Sequence, residues 1–236
     1  MPAPADRRPA ALLWDMDGTL IDSEPYWLRA EIELVESFGG VWSWEDGLQL
    51  VGSSLDRSAV ILQSRGVRLE GREIIERMTD RVAQQLDAAI PWRPGARELL
   101  LEAREAGVPS ALVTMSIGRM ARHIAGGLGE GTFATIVAGD DVVNGKPHPE
   151  PYLTACARLG VAPADCVAIE DSEPGVASAV ASGAATIAVP LHIPLPPSPA
   201  YALWEGGLDG RSLDDLAAVH ADRTAGGPAP TERAAR

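Results

Sequence analysis

The chain has 236 residues, of which 46% are hydrophobic, and this is enough for one large domain or for a core with a smaller second domain. Its formal net charge of −13 argues against nucleic acid as a partner. The two cysteines, Cys156 and Cys166, are too few for a disulfide scaffold and lack the spacing of a metal site.

No stretch of the sequence is typical of a leader or of a membrane anchor. Asp15 interrupts the first apolar run after a few residues, too early for a signal peptide. No other apolar run is long enough to cross a bilayer. We therefore expect a cytoplasmic protein without a membrane partner; the sequence leaves the oligomeric state open, and a monomer is the expectation.

The first part of the chain predicts a strand followed by an all-helical block. An apolar strand ends at Asp15, and Gly18 breaks the pattern after it. Helical periodicity then recurs three times without a strand between the repeats, at residues 26–38, 55–64 and 71–86. Pro91 and Pro94 mark the end of this block, which we predict to be an inserted helical cap over residues 25–89.

The remainder of the chain alternates between helical and strand patterns. Helices are predicted at residues 95–106, 117–124, 149–159, 174–181 and 212–219, and short apolar strands at 109–114, 133–138, 165–169 and 184–189. This alternation is typical of an α/β fold, with a Rossmann-like parallel sheet covered by helices on both faces.

Four ranges complete the predicted domain organisation. Residues 10–24 and 90–222 form the Rossmann-like core, into which the cap is inserted. Residues 1–9 and 223–236 are predicted to be flexible tails because they lack periodicity.

The first strand leads to two aspartates that are spaced two residues apart, Asp15 and Asp17. On an extended segment, side chains with this spacing point to the same side, so the two carboxylates converge. Converging carboxylates repel each other unless one is protonated or a cation lies between them. An Asp-rich turn is the structural alternative.

Three later segments each contribute polar side chains. Thr114 and Ser116 follow the second core strand, and Asp171 follows the strand that ends near residue 169. Of the 20 lysine and arginine residues, only Lys146 is a lysine, and it lies in a loop ahead of a predicted helix. Ligands of open α/β sheets bind at the carboxyl ends of the strands. Each residue alone could serve as a cap or a surface charge, but together they predict one site.

Such a set of residues suits phosphoryl transfer. We predict Asp15 as the nucleophile and Asp17 as the acid that protonates the leaving oxygen and then deprotonates water. Asp15, a backbone carbonyl near Asp17 and Asp171 offer the oxygen ligands that Mg²⁺ prefers. The cation would relieve the repulsion between the nucleophile and the anionic phosphoryl group.

The other predicted contacts concern the phosphoryl oxygens. Lys146 and the hydroxyl groups of Thr114 and Ser116 would hold these oxygens as charge shifts in the transition state. Glu170 adjoins a predicted metal ligand, and we expect it to orient Lys146 or a metal-bound water rather than to bind the metal.

These residues resemble the four ordered motifs of the haloacid dehalogenase superfamily. The matching segments are DMDGTL at 15–20, Thr114, GKP at 145–147 and EDS at 170–172. The resemblance extends from about residue 11 to 220. It implies an aspartyl-phosphate at Asp15, Asp17 as the acid and base, and Mg²⁺ bound by Asp15, the Asp17 carbonyl and Asp171.

The helical insert resembles the subgroup of this superfamily that has a helical cap. The segment DSEPYW at 22–27 is most similar to sugar- and polyol-phosphate phosphatases, including 2-deoxyhexose-6-phosphate phosphatases. Dehalogenases lack the second aspartate, which is present here as Asp17. The β-phosphoglucomutases carry a histidine where this chain has Trp27, which argues against a mutase.

The cap is expected to select the substrate. Gly52, Ser53 and Arg57 lie where related caps place a specificity loop, and we predict that they contact the substrate. The alternative is a helix start that is capped by Ser53 or Ser54 and leaves Arg57 exposed. The tryptophans in and beside the cap are expected to pack the cap on the core, and His192 has no predicted role.

The sequence therefore predicts a Mg²⁺-dependent phosphatase that acts on a small phosphorylated metabolite, a sugar or polyol phosphate. A phosphomutase resembling β-phosphoglucomutase and a phospho-accepting switch of the response-regulator kind are the alternatives. No residue in the sequence identifies the substrate.

Overall fold

The computed structural model describes residues 8–129 and 131–226. Its centre is one parallel sheet, whose strands are β1 (Ala11–Trp14), β2 (Ser110–Val113), β3 (Thr135–Val137), β4 (Cys166–Glu170), β5 (Ala185–Ala188) and β6 (Ala202–Leu203). The spatial order is β3-β2-β1-β4-β5-β6, and every neighbouring pair is parallel. The predicted α/β fold is confirmed, and β1 lies inside the sheet between β2 and β4.

Helices connect and cover the strands. They are α1 (Glu24–Ser37), α2 (Trp44–Leu48), α3 (Leu55–Ser64), α4 (Gly71–Ala88), α5 (Ala96–Glu105), α6 (Gly118–Gly126), α7 (Glu150–Leu159), α8 (Glu173–Ser182) and α9 (Leu213–Thr224). None of the helices in the described ranges has the length and apolar character needed to cross a bilayer.

Two large apolar clusters, one on each face of the sheet, form most of the core of the described residues, and a smaller third cluster lies around Ala188 and Leu203. Alternate strand residues point to opposite faces, so Leu12 and Trp14 join one cluster while Ala11 and Leu13 join the other. Helices α7 and α8 cover the second face, and α5, α6 and α9 cover the first. Because both faces are covered, the strands read as continuous apolar runs rather than as alternating ones.

The cap consists of α1 to α4, and its apolar residues belong to the same cluster as the first face of the sheet. Trp27 and Trp42 are buried, which agrees with the expected packing role of the cap tryptophans. Trp44 is 39% exposed and therefore contributes less to this packing. The domain boundaries at residues 25 and 89 stay a prediction.

Two elements were not predicted. Helix α2 has five residues and is held by a capping box, in which Ser43 and Asp46 bond each other's backbone N–H groups. Strand β6 has two residues, too few to show a period.

The predicted tails were wrong at their inner ends. Helix α9 continues to Thr224 because no glycine or proline interrupts it before Gly226. Near the start of the chain, Pro9 is buried and the Arg8 guanidinium donates to the carbonyl of Ala106. Residues 1–7 and 227–236 lie outside the described residues.

Substitution of two glycines with positive φ tests the packing of α5 against the loop before α9. Gly95 has a φ of +79° and Gly107 a φ of +73°, so alanine is strained at both positions. An alanine Cβ at position 95 would also overlap the backbone carbonyl of Leu208, whereas position 107 is open. We expect Gly107→Ala to lower the free energy of unfolding by about 1–2 kcal/mol and Gly95→Ala by about twice as much.

Chemical denaturation of the two variants and the parent chain measures this difference. Equal losses for Gly95→Ala and Gly107→Ala would contradict the close approach of Leu208 to helix α5.

Candidate active site

Polar side chains gather at the carboxyl end of the sheet. Asp15 follows β1, Thr114 follows β2 and Asp171 follows β4, and these three strands are neighbours in the sheet. All three residues are at most 6% exposed. The parallel topology thus brings together residues that are up to 156 positions apart in the sequence.

Lys146 is the buried cation of this site. Its Nζ donates to Asp15 Oδ1 at 2.7 Å, to the Val113 carbonyl at 2.9 Å and to Glu170 Oε1 at 2.6 Å. Burial alone would lower the pKa of Lys146, but the Asp15 and Glu170 carboxylates outweigh it, so its pKa lies above the ordinary lysine value. Lys146 is therefore a fixed ammonium group that orients Asp15.

Glu170 holds Lys146 from the opposite side. Its Oε1 also accepts from the Tyr152 hydroxyl at 2.6 Å, and the Tyr152 ring centroid is 5.3 Å from Lys146 Nζ. Its Oε2 accepts weaker bonds from the Asp171 N–H and the Ser172 hydroxyl, at 3.3 and 3.5 Å. Because both oxygens of Glu170 are occupied, the geometry favours a positioning role for this residue.

The carboxylates of Asp15, Glu170 and Asp171 form a cluster in which one oxygen of each lies within 4.8 Å of the others. The pKa of Asp15 is raised to about 7: burial is the main cause, Glu170 adds to it, and Lys146 opposes the rise. Burial, followed by the charges of Asp15 and Glu170, also raises the pKa of Asp171 well above its ordinary value. The site therefore concentrates more negative charge than Lys146 neutralises.

A hard divalent cation fits this cluster. The buried carboxylates of Asp15, Glu170 and Asp171 carry more negative charge than Lys146 alone neutralises, which favours a bound cation. The donor set is all oxygen, as Mg²⁺ prefers. The side chain of Asp17 is not part of the cluster. A contribution of Asp17 to a metal would therefore come from a backbone carbonyl, as predicted from the sequence.

Asp17 is partly buried, and four side chains donate hydrogen bonds to its carboxylate. Ser23 Oγ and Trp27 Nε1 donate to Oδ1 at 2.5 and 3.2 Å. Thr114 Oγ1 and Ser116 Oγ donate to Oδ2 at 3.2 and 2.7 Å. The carboxylate of Asp17 thus joins the predicted phosphate-binding hydroxyls to the first helix of the cap.

A cavity lies between this cluster and the cap. Gly52 and Ser53 line it, as predicted for substrate contacts. Arg57 does not: it is exposed, and its backbone N–H bonds the side chain of Ser54 at 3.4 Å. The segment therefore has a mixed role, in which its first residues face the cavity and its last residues begin α3.

The family model of the haloacid dehalogenase-like hydrolases matches residues 9–183 of this chain. The chain is a haloacid dehalogenase-like hydrolase. The resemblance that the four motifs indicated is thus confirmed.

Two relatives of this haloacid dehalogenase-like hydrolase are phosphatases by name, and one solved structure superposes well on it. Hexitol phosphatase B of Escherichia coli is 32% identical over 78% of this chain and 85% of its own length. A phosphorylated carbohydrates phosphatase of Thermotoga maritima is 33% identical over 73% of this chain and 81% of its own. The crystal structure of a β-phosphoglucomutase from Clostridium difficile superposes with a TM-score of 0.80 and covers 92% of this chain and 99% of its own, at 19% identity. At that identity it shows the shared fold alone.

Several residues that line the cavity of this hydrolase were not predicted from the sequence. Glu31 lies on the buried stripe of α1 among Trp27, Leu28 and Leu34, and an acid in an apolar stripe is a signal that could have identified it. His192 lies in a proline-rich loop, where no period marks a buried side chain. The other cavity residues that were not predicted as site residues are Gly18, Glu24, Trp27, Leu50, Val51, Leu55, Ser58, Met78, Met115 and Ser172.

His192 connects the core to the segment before α1 and to the cap. Its Nε2 lies 2.7 Å from Asp22 Oδ1, just before α1. The ring also meets the edge of Trp44 in α2, with centroids 5.6 Å apart. These contacts fix the loop after β5 against the cap.

Gly52 sets how closely the cap loop approaches the core of this hydrolase. A Cβ at this position would lie 2.8 Å from the Ser172 side chain and 3.1 Å from Pro174. Gly66 also has a positive φ and lies in the cap, but nothing surrounds the position of its Cβ within 4 Å. We expect Gly52→Ala to displace the loop and to raise the amide hydrogen exchange rate at Ser53 about tenfold.

Gly66→Ala is the matched control, because it introduces the same backbone strain without the steric overlap. Equal exchange at Ser53 in both variants would show that the loop does not depend on contact with Ser172.

Proposed function

We propose that the chain is a Mg²⁺-dependent phosphatase that hydrolyses a small phosphomonoester, a sugar or polyol phosphate, through an aspartyl-phosphate at Asp15. The observation that carries this proposal is the asymmetric carboxylate of Asp15. Lys146 holds Oδ1, while the buried Oδ2 has no partner among the described residues and is free to attack phosphorus.

Asp15 must be ionised to act as the nucleophile. Burial and Glu170 raise its pKa to about 7, so the carboxyl group needs positive charge nearby to stay ionised at neutral pH. Asp15, Asp171 and a backbone carbonyl near Asp17 would hold Mg²⁺, which supplies that charge and neutralises the phosphoryl oxygens. Lys146 keeps the carboxylate in one orientation throughout.

The hydroxyl groups of Thr114 and Ser116 would bind the phosphoryl oxygens. Both hydroxyls donate to Asp17 in the absence of substrate, and a rotation about the C–O bond redirects each proton. Their movement towards the phosphoryl group would release two of the four hydrogen bonds at Asp17.

Asp17 would then be the acid and base. It is partly exposed and two residues from Asp15, so it can reach the leaving oxygen in the first step and a water molecule in the second. Ser23 and Trp27 keep their hydrogen bonds to Oδ1 and hold the carboxyl group in place.

The relatives support the substrate class. The two named phosphatases of the comparison act, by their names, on hexitol phosphates and on phosphorylated carbohydrates. The cavity between the core and the cap is lined by both polar and apolar side chains, which suits a phosphorylated polyhydroxy compound. The β-phosphoglucomutases carry a histidine, which can accept a proton, where this chain has Trp27. The neutral indole N–H of Trp27 donates to Asp17 and cannot accept a proton, which favours hydrolysis over the mutase reaction.

The exchange of Asp15 for asparagine tests the nucleophile. We expect Asp15→Asn to lower kcat/KM for glucitol 6-phosphate in the presence of Mg²⁺ about 10³-fold or more, because the amide cannot form the covalent intermediate. Chelation of Mg²⁺ by EDTA should abolish turnover of the parent chain. Phosphate release measures both effects.

Asp222→Asn is the matched control, since Asp222 is exposed on α9 and does not line the cavity. If Asp15→Asn keeps the parent's rate, Asp15 is not the nucleophile.

A further inference from the structure

The cap side of the cavity carries carboxyl groups and no basic side chain. Glu24 and Glu31 of α1 line it, together with the hydroxyl-bearing residues Ser53 and Ser58. Within the described part of the chain, no arginine or lysine of the cap lines this cavity.

The basic side chains on the core side that line the cavity are already paired. Lys146 contacts Asp15 and Glu170, and His192 contacts Asp22. A bound Mg²⁺ would be occupied by the reacting phosphoryl group. The cavity thus provides for one anionic group, at the carboxyl end of the sheet, and offers no counter-ion for a second.

Glu31 lines the cavity, and Trp42 holds one of its carboxylate oxygens. Its Oε2 accepts from Trp42 Nε1 at 2.8 Å, and the residue is only 2% exposed. No described group donates a hydrogen bond to Oε1. Because the residue lines the cavity, Oε1 can accept a hydrogen bond from a substrate hydroxyl there.

We infer that Glu31 is a specificity-determining residue, which accepts a hydrogen bond from a hydroxyl group of the leaving group, and that the substrate carries no second phosphate or carboxylate. The inference rests on the proposed phosphatase function and narrows it to monophosphates of neutral polyhydroxy compounds. The apolar side chains of Leu50, Leu55 and Met78 line the same cavity and suit the carbon chain of such a compound.

Glu24 and Glu31 line the cap side of the cavity, and this wall would discriminate against a substrate with a second anion. A second anion in the cavity would lie near both Glu24 and Glu31 without a compensating cation. Burial raises the pKa of Glu31 to about 7 and that of Glu24 to about 8, so the wall already disfavours negative charge. An additional anion would meet the same low-dielectric environment.

Three phosphate esters distinguish the effect of the substrate hydroxyl groups, the effect of a second anion and the chemistry at Asp15. Glucitol 6-phosphate and gluconate 6-phosphate have the same chain length, and a carboxylate in the second replaces a terminal hydroxymethyl group. p-Nitrophenyl phosphate has no hydroxyl groups and reports the chemistry at Asp15 alone. We expect the parent chain to prefer glucitol 6-phosphate over gluconate 6-phosphate by about 30-fold or more in kcat/KM.

Glu31→Gln should lower kcat/KM for glucitol 6-phosphate about tenfold and reduce the preference over gluconate 6-phosphate to below about fivefold. Its kcat/KM for p-nitrophenyl phosphate should stay within about twofold of the parent value, which also shows that the variant is folded. Glu36→Gln removes the same charge from an exposed position of α1 and should change none of the three values. If Glu31→Gln does not fold, Glu24→Gln tests the same wall with the same three esters.

The outcomes are distinct. Equal kcat/KM of the parent chain for the two hexose-derived esters would overturn the inference and leave the phosphatase function intact. A parallel loss on all three esters in Glu31→Gln would also overturn it, because the effect would then be structural. Failure of the parent chain to hydrolyse any of the three esters would contradict the phosphatase function itself.

Discussion

The buried ion pairs of Lys146 with Asp15 and Glu170 are the interaction on which the rest of the site depends. Both distances are below 2.8 Å, and all three side chains are nearly inaccessible. Removal of one partner would leave an uncompensated charge in the interior, so the three groups constrain one another. They join the ends of β1 and β4 to the loop before α7 and leave Oδ2 of Asp15, the proposed nucleophile, without a partner among the described residues.

Asp17 links this core to the cap. The hydrogen bonds of its carboxylate extend to Trp27 in α1 and to Thr114 and Ser116 after β2, so one carboxylate bonds both the first helix of the cap and the hydroxyls proposed to bind phosphate. The close approach of Gly52 to Ser172 and the contact of Trp44 with His192 add two further points where cap and core meet. Residues of the core and residues of the cap thus line one cavity.

The sequence was sufficient for the fold and for the convergence of the core residues, because parallel strands place their carboxyl ends at one edge. Asp15, Thr114 and Asp171 come together for this reason. The cap was harder to predict, since helical periodicity shows which face is buried but not what it faces. Arg57 was expected in the cavity and begins a helix instead. Glu31 was overlooked because its stripe was interpreted as packing alone, and His192 depends on a loop conformation without a sequence signal.

Chemical trapping tests whether Asp15 accepts the phosphoryl group. Acid quenching during turnover of glucitol 6-phosphate, followed by borohydride reduction, converts a phosphorylated aspartate into homoserine, which peptide mass spectrometry locates. We expect homoserine at position 15, in amounts that depend on substrate and Mg²⁺. Homoserine at another aspartate, or turnover at full rate with an unmodified Asp15 throughout, would contradict the proposed role of Asp15.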